Sequence, residues 1–422
     1  MNRKLLKNRE YVYLLSAQTV SNLGDWLNIL ALFALIGLKW EASPLAISIA
    51  MLCVAVPSII FGSFAGTIAD RFDRKTLMVI ADLSRAAVVL GVIVSTELWQ
   101  VYILLCVKSV FSSLFEPAKE GKLKEIVSDD LMQPAVATSE LVNNGAKIVG
   151  PILSGVLVAG IGIQWSFYLD SLSFVLSALL LIGVPRTKRV IEAKKAENKA
   201  GSGFGRQFKD GFAFLKQKPV LLTGLFVFSL VMLVLQISDS QIIILLRQIQ
   251  GDPVNILGWM MSGSGAGVIA ASMILNLKEI RSYLRALSLS SIGLGMGYMF
   301  AGVFIHLPVI WLSLLYPISG VITGFCAGMA VIPFNVMAQK MTPDRYTGRV
   351  FGTINSMTTL AAVIGMLSGG LLSEAFGVIF TYIFAGSLLV LVGFIVYSLR
   401  RRLQGGDVHA ESHTRAYRKA ES

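Results

Sequence analysis

The sequence predicts an all-α polytopic membrane protein, with twelve transmembrane helices arranged as two six-helix pseudo-repeats. Three observations predict it. The 422 residues are 55% hydrophobic and only 15% charged, with a mean hydropathy of +0.70, whereas a soluble domain carries about a quarter charged residues. Apolar runs of the roughly 20 residues that a bilayer-spanning helix needs recur along nearly the whole chain. The second half also echoes the first. NNGAKIVGPILSGVLVAGIG at 143–162 and TTLAAVIGMLSGGLLSEAFG at 358–377 align Gly150 with Gly365, Gly155 with Gly370 and Gly162 with Gly377. At nearly the same offset Asp25 aligns with Asp239 and Pro117 with Pro333.

Taken in order, the spans fall at about 11–38, 44–69, 76–96, 99–117, 134–161 and 164–184, then 219–247, 256–277, 283–305, 308–337, 349–376 and 378–399. MNRKLLKNRE before the first run has the outline of a signal peptide. No small-residue cleavage site follows and Asp25 interrupts the run, which predicts an uncleaved first helix. Residues 1–184 form the first half and 219–399 the second. Between them, 185–218 is a basic linker whose segment FGRQFKDGFAFLKQK sets Phe204, Phe208, Phe212 and Leu215 along one helical stripe, with Arg206, Lys209 and Lys216 elsewhere. That pattern suits an amphipathic helix on an anionic leaflet. The polar tail 400–422 is expected to be disordered. Duplicated halves around a midplane cavity are a transport plan, because rocking one against the other alternates access.

The net charge of +12 has a topological cause. With the N-terminus inside, all but five of the 37 Lys and Arg fall in cytoplasmic loops and termini; the exceptions are Lys39, Arg85, Lys108, Lys147 and Arg247. This positive-inside bias predicts both termini in the cytoplasm and removes the case for nucleic acid as a partner; the membrane itself is expected to be a bacterial inner membrane.

Enzyme chemistry finds little support. Cys53, Cys106 and Cys326 sit inside spans without paired spacing and read as small apolar residues. His306, His409 and His413 form no ligand cluster, and neither HExxH nor GxSxG occurs, so no metal or cofactor is expected. SGSGAGVIAAS at 262–272 has Val268 where a dinucleotide loop needs its third glycine. Glycines at this density in a membrane helix permit close packing.

Between spans two and three lies GTIADRFDRK, five charges in ten positions. It resembles the signature of the major facilitator superfamily, Gly-x-x-x-Asp-x-x-Gly-Arg-Lys/Arg, matching at Gly66, Asp70, Arg74 and Lys75, with Asp73 in place of the second glycine. The resemblance covers about 11–399 and implies a gate. Asp70 would face the N-terminal end of span eleven, where a helix dipole favours an anion, and Arg74 would pair with Glu116 or Glu120 at the foot of span four. AKIVGPILSG in span five resembles the exporters' antiporter motif at Gly150, Pro151 and Gly155, with Ala146 and Ser154 standing in for glycines. Small residues there would press this helix against the other half, and Pro151 would kink it.

Charged groups inside a bilayer are costly and are functional by default. Asp25, Lys108 and Lys147 lie near mid-span; Arg85, Glu140, Asp170 and Asp239 lie nearer span ends. The resemblance implies that spans one, four, seven and ten line the cavity, so Asp25, Lys108 and Asp239 would converge there. An acid held between burial and a neighbouring ammonium can change protonation as the cavity opens, making Asp25 with Lys108 a proton switch; Lys147, Glu140 and Asp170 are further candidates. Arg85 is expected to snorkel to the interface. The resemblance is to the macrolide-efflux and enterobactin-exporter branch, through DRFDRK, the span-five motif and TPDRYTGRVFGTIN at 342–355. It implies a monomeric, proton-coupled exporter of hydrophobic or amphipathic small molecules. The alternatives are a siderophore or lysophospholipid transporter of the same fold, or a membrane sensor or membrane-embedded enzyme. A sensor would normally add a soluble effector domain, and an enzyme would need catalytic groups that converge.

Overall fold

The structure, a computed structural model, describes residues 5, 7–186, 212–249, 253–277, 282–343 and 346–420. Twelve long helices run through them, and no strand occurs among the described residues. They are α1 (Arg9–Phe33, continued by a π-helical stretch Ala34–Lys39), α2 (Pro44–Arg71), α3 (Arg74–Val94), α4 (Leu98–Ile126), α5 (Asp129–Ile161) and α6 (Ile163–Ile182). Then come α7 (Pro219–Leu246), α8 (Pro253–Leu277), α9 (Tyr283–Val303), α10 (Val309–Met341), α11 (Thr347–Phe376) and α12 (Val378–Ala420). Among the described residues, eleven helices are long and apolar enough to cross a membrane.

Side chains at the helix starts satisfy backbone donors that no helical turn can reach. Asn8 accepts from the Tyr11 N–H, Ser43 from the Ala46 N–H and Asp73 from the Thr76 N–H. Pro44 opens α2, where its missing N–H costs nothing. Glu97 and Gln100 cap α4 reciprocally.

The chain forms two compact units, Met1–Ile191 with Ser240–Ser262, and Glu192–Asp239 with Gly263–Ser422. The first unit thus takes in the end of α7, beyond the 1–184 expected of the first half. The reason is polar. The Gln241 amide donates to Ser48 Oγ at 2.9 Å and to the Pro44 carbonyl, and the Arg247 guanidinium donates to the carbonyls of Gly37 and Ala42.

In the first unit α1 packs on α5 and α6, α3 on α4 and α6, and α2 on α4. Tyr11, Leu14, Met78, Ala81, Phe115 and Leu181 make its apolar core. Cys53 of α2 and Cys106 of α4, unpaired by sequence spacing, lie near each other as free thiols. In the second unit α9 packs on α10 and α12, and α11 on α12. Gly295 and Gly386 face each other so closely that a Cβ on either would collide with the other's carbonyl oxygen.

The repeat read from the sequence has a structural counterpart. Gly162 and Gly377 join α5 to α6 and α11 to α12 with φ of 94° and 87° and ψ of 162° and 154°. Only glycine adopts such backbone readily. Gly150 makes room for the Trp26 side chain of α1, and Gly365 for the Leu233 backbone of α7, each within its own unit.

Two further expectations change. The tail expected to be disordered continues α12 as helix to Ala420. No proline follows Leu399, and Arg, Leu, Gln, Ala, Glu and Lys are good helix formers that offset Gly405 and Gly406. Most of the linker, including Phe204 and Phe208, lies outside the described residues. Leu215, placed on its lipid-facing stripe, is fully buried, and neighbouring Phe214 stacks on Tyr346 at 5.2 Å.

Candidate functional site

Four helices of the first unit bring charged groups to one place. Asp25 and Asn28 stand one turn apart on α1, Asp82 and Arg85 one turn apart on α3. Lys108 and Phe115 lie seven apart on α4, and Asp170, Ser173, Phe174 and Ser177 share a face of α6. Gly24 lets α6 come close, since a Cβ there would overlap Ser173 Oγ and lie 2.6 Å from Asp170 Oδ1.

Lys108 bridges two acids, with Nζ 3.0 Å from Asp25 Oδ1 and 3.6 Å from Asp170 Oδ2. Asn28 donates to the same Asp170 oxygen at 2.7 Å. Arg85 pairs with Asp82 on its own helix and reaches Asp25 Oδ2 at 3.7 Å. Ser177 donates to Asp82 Oδ2 at 2.7 Å. The Arg85 guanidinium lies against two rings, 4.7 Å from the centroid of Phe115 and 4.4 Å from that of Phe174, and Lys108 Nζ is 5.3 Å from the Phe174 centroid. Such contacts give a desolvated cation a second source of attraction. Asp82 and Asp170 have no exposed side-chain surface, Arg85 has 4% and Lys108 12%, but Asp25 has 35%. The network is therefore buried on every side but that of Asp25.

Sequence reasoning placed Asp25, Lys108 and Asp170 among the candidates, and the structure brings these three together. It missed Asp82, Asn28 and Ser177, and it misread Arg85, whose head group is buried among acids and rings instead of snorkelling. The pair Asp82 and Arg85, one turn apart inside a span, is the signal that could have found them. Asp239 belongs to the second unit, near enough to Tyr298 and Tyr382 to interact electrostatically. Glu140, Lys147, Pro151 and Gly155 lie on α5, with side chains outside the described set.

At the end of the first unit where α2 turns into α3, the signature residues have local partners. Arg74 Nη1 sits 2.7 Å from Glu125 Oε1 and donates to the Gly121 carbonyl at 3.1 Å. This corrects the partner expected for Arg74. Glu116 pairs instead with Lys119 on its own helix, and Glu120 is exposed. The cause is length: α4 runs on to Ile126, two turns past its expected end, and Gly121 leaves space that a Cβ would take at 2.5 Å from Arg74 Nε. Lys75 Nζ donates to the Ile182 carbonyl at 2.6 Å, at the C-terminal end of α6, where a helix dipole favours a cation.

Asp73, the departure from the signature, is the N-cap of α3, accepting from the Thr76 N–H at 2.9 Å and the Thr76 hydroxyl at 2.6 Å. With φ at −64°, the position needs no glycine. Burial alone would raise the Asp73 pKa; the two bonds from Thr76 and the charges of Lys122 and Arg186 outweigh it and hold the carboxyl below its ordinary range. Gly66 faces open space, and nothing in the structure explains it. The Asp70 side chain lies outside the described set.

The sequence profile of the Major Facilitator Superfamily matches residues 14–357 and 242–419. Over 396 residues the chain is 41% identical to an uncharacterized MFS-type transporter, YfiS, of Bacillus subtilis, covering 94% of each chain. It is 23% identical to macrolide efflux protein A of Streptococcus pyogenes, across 84% of this chain and 87% of that one. Among solved structures, the nucleoside transporter NupG superimposes with a TM-score of 0.71 at 13% identity, over 92% of this chain and 98% of that one, a likeness of fold alone. A multi-pass helical chain with duplicated halves, a charged network inside one of them and these matches belongs to the major facilitator superfamily of transporters.

Proposed function

We propose that this transporter exports hydrophobic or amphipathic small molecules, macrolide-like drugs among them, in exchange for protons. The observation that carries the reading is Lys108 between two carboxylates, one partly exposed and one buried. A buried ion network is expensive unless its charges are balanced. Here three acids meet two cations, so one more positive charge is called for. A proton arriving through Asp25 supplies it, and a cationic or dipolar substrate beside Asp25 competes with it. Such competition makes loading of proton and of substrate mutually exclusive, which is what exchange requires.

The likeness to macrolide efflux protein A supports the direction and the substrate class, as does a chain holding 15 Met and 23 Phe, side chains that adapt to varied apolar ligands. The positive-inside bias supports both termini inside, and the bacterial relatives support a bacterial cytoplasmic membrane. In this reading Asp70, Arg74 and Lys75 form the gate on that side, and the transporter works as a monomer. The test is a susceptibility panel in an efflux-deficient bacterial host, with and without a protonophore. It includes macrolides, a siderophore and a lysophospholipid. Resistance to macrolides that the protonophore abolishes is expected; protection that survives the protonophore, or none at all, contradicts the reading.

A further inference from the structure

We infer that the exchangeable proton resides on Asp170, at Oδ1, and that Asp25 is the residue through which it enters and leaves. The inference rests on the proton-coupled reading above and assigns the site within it.

The three acids differ in how their oxygens are served. Asp82 has Arg85 on Oδ1 and Ser177 on Oδ2. Asp25 has Lys108 on Oδ1 and Arg85 near Oδ2, and it is the only one of the three with exposed side-chain surface, 35%. Asp170 receives Asn28 and the longer Lys108 contact on Oδ2, while its Oδ1 is buried with no hydrogen-bond partner among the described residues. A carboxylate oxygen buried without a donor is the worst place in the network for negative charge. An O–H there removes the charge and balances the remaining two acids against two cations.

The groups facing Asp170 are Asp25 and Asn28 from α1, Arg85 from α3 and Lys108 from α4, with Asp82 behind Arg85. When the proton leaves Oδ1, the bonding pair stays as carboxylate charge and the proton passes to water on the Asp25 side. Lys108 keeps its three protons throughout and shifts its shorter contact from Asp25 to Asp170. Asp25 is then free to meet a cationic or dipolar substrate.

The test is the infrared spectrum of the purified protein in lipid vesicles at neutral pH, read in the carbonyl stretch of protonated carboxylic acids. Asp170→Glu keeps the charge count and should move a component of that band, whereas Asp25→Glu and Asp82→Glu should leave it in place. Asn28→Ala removes the donor to Oδ2 and should raise the frequency of the same component, so the test stands even where Asp170→Glu fails to fold. A component that follows Asp25→Glu or Asp82→Glu, or no component that responds to Asp170→Glu or Asn28→Ala, overturns the assignment. Export is measured separately. Gradient-driven export without a responding component removes Asp170 and leaves the exporter; a responding component without gradient-driven export does the reverse.

Discussion

Lys108 of α4 lies 3.0 Å from Asp25 of α1, and the same ammonium is 3.6 Å from Asp170 of α6. Removing it leaves three acids facing Arg85 alone. Breaking a buried pair by deleting one partner costs about 3–5 kcal/mol. Lys108→Ala should therefore lower the unfolding temperature of the detergent-purified protein by several degrees. Adding Asp25→Asn to it should recover part of the loss, because with Asp170 protonated one ionised acid, Asp82, then faces one cation, Arg85. A double variant no more stable than Lys108→Ala would show that Lys108 and Asp25 are not energetically coupled.

Arg74 and Glu125 are about a quarter exposed, and an exposed ion pair contributes about 1 kcal/mol or less. Its value should show in transport rather than stability. Arg74→Glu is expected to impair efflux at near-normal expression, and the swap Arg74→Glu with Glu125→Arg to restore part of it. Rescue by Glu116→Arg or Glu120→Arg instead would return the pairing to the one expected from sequence.

Asp73 gives a pH signature. Its folded pKa lies below the unfolded value of about 4, so the unfolded chain binds the proton more readily. The stabilisation is complete above that value and disappears as pH falls through the folded pKa. Asp73→Ala should cost about 1 kcal/mol near neutrality, the usual cost of losing an N-cap. In thermal unfolding curves the gap between wild type and variant should close as the pH drops below about 4. A gap that persists unchanged in acid would mean that the charge of Asp73 contributes nothing.

Gly162 and Gly377 hold backbone that other residues adopt only under strain. Gly377→Ala should destabilise by about 1–3 kcal/mol and Gly162→Ala by a similar amount. Gly66→Ala has open space for its methyl and should barely register. Thermal unfolding of the three variants side by side checks this, and an equal loss at Gly66 would contradict it.

Much of this was legible in the sequence because a bilayer writes long apolar runs and a duplicated gene repeats its glycines. The helix count and the equivalence of Gly162 with Gly377 came from such signals, whereas the convergence of Asp25 and Lys108 was implied by the family resemblance. Other features depend on tertiary packing and leave weaker traces. Arg85 looked able to reach the interface, but its burial depends on Phe115 and Phe174, which come from other helices. Glu125 was overlooked because the apolar run of span four ends near Pro117, whereas the helix continues through a polar stretch held by Arg74 and Lys122. The transfer of the α7 terminus to the first unit rests on Gln241 and Arg247 reaching carbonyl oxygens, which side-chain identity alone does not reveal.

The central claim is that the buried network couples export to protons, and vesicles test it most directly. Uptake of a macrolide into everted membrane vesicles is followed against an imposed pH gradient, for wild type and Asp25→Asn. Asp25→Asn leaves two acids balanced by two cations, so no proton need be carried. Wild-type uptake should rise with the gradient and collapse when a protonophore dissipates it, while uptake by Asp25→Asn should no longer respond. Wild-type uptake indifferent to the gradient, or undiminished gradient-driven uptake by Asp25→Asn, would contradict the account.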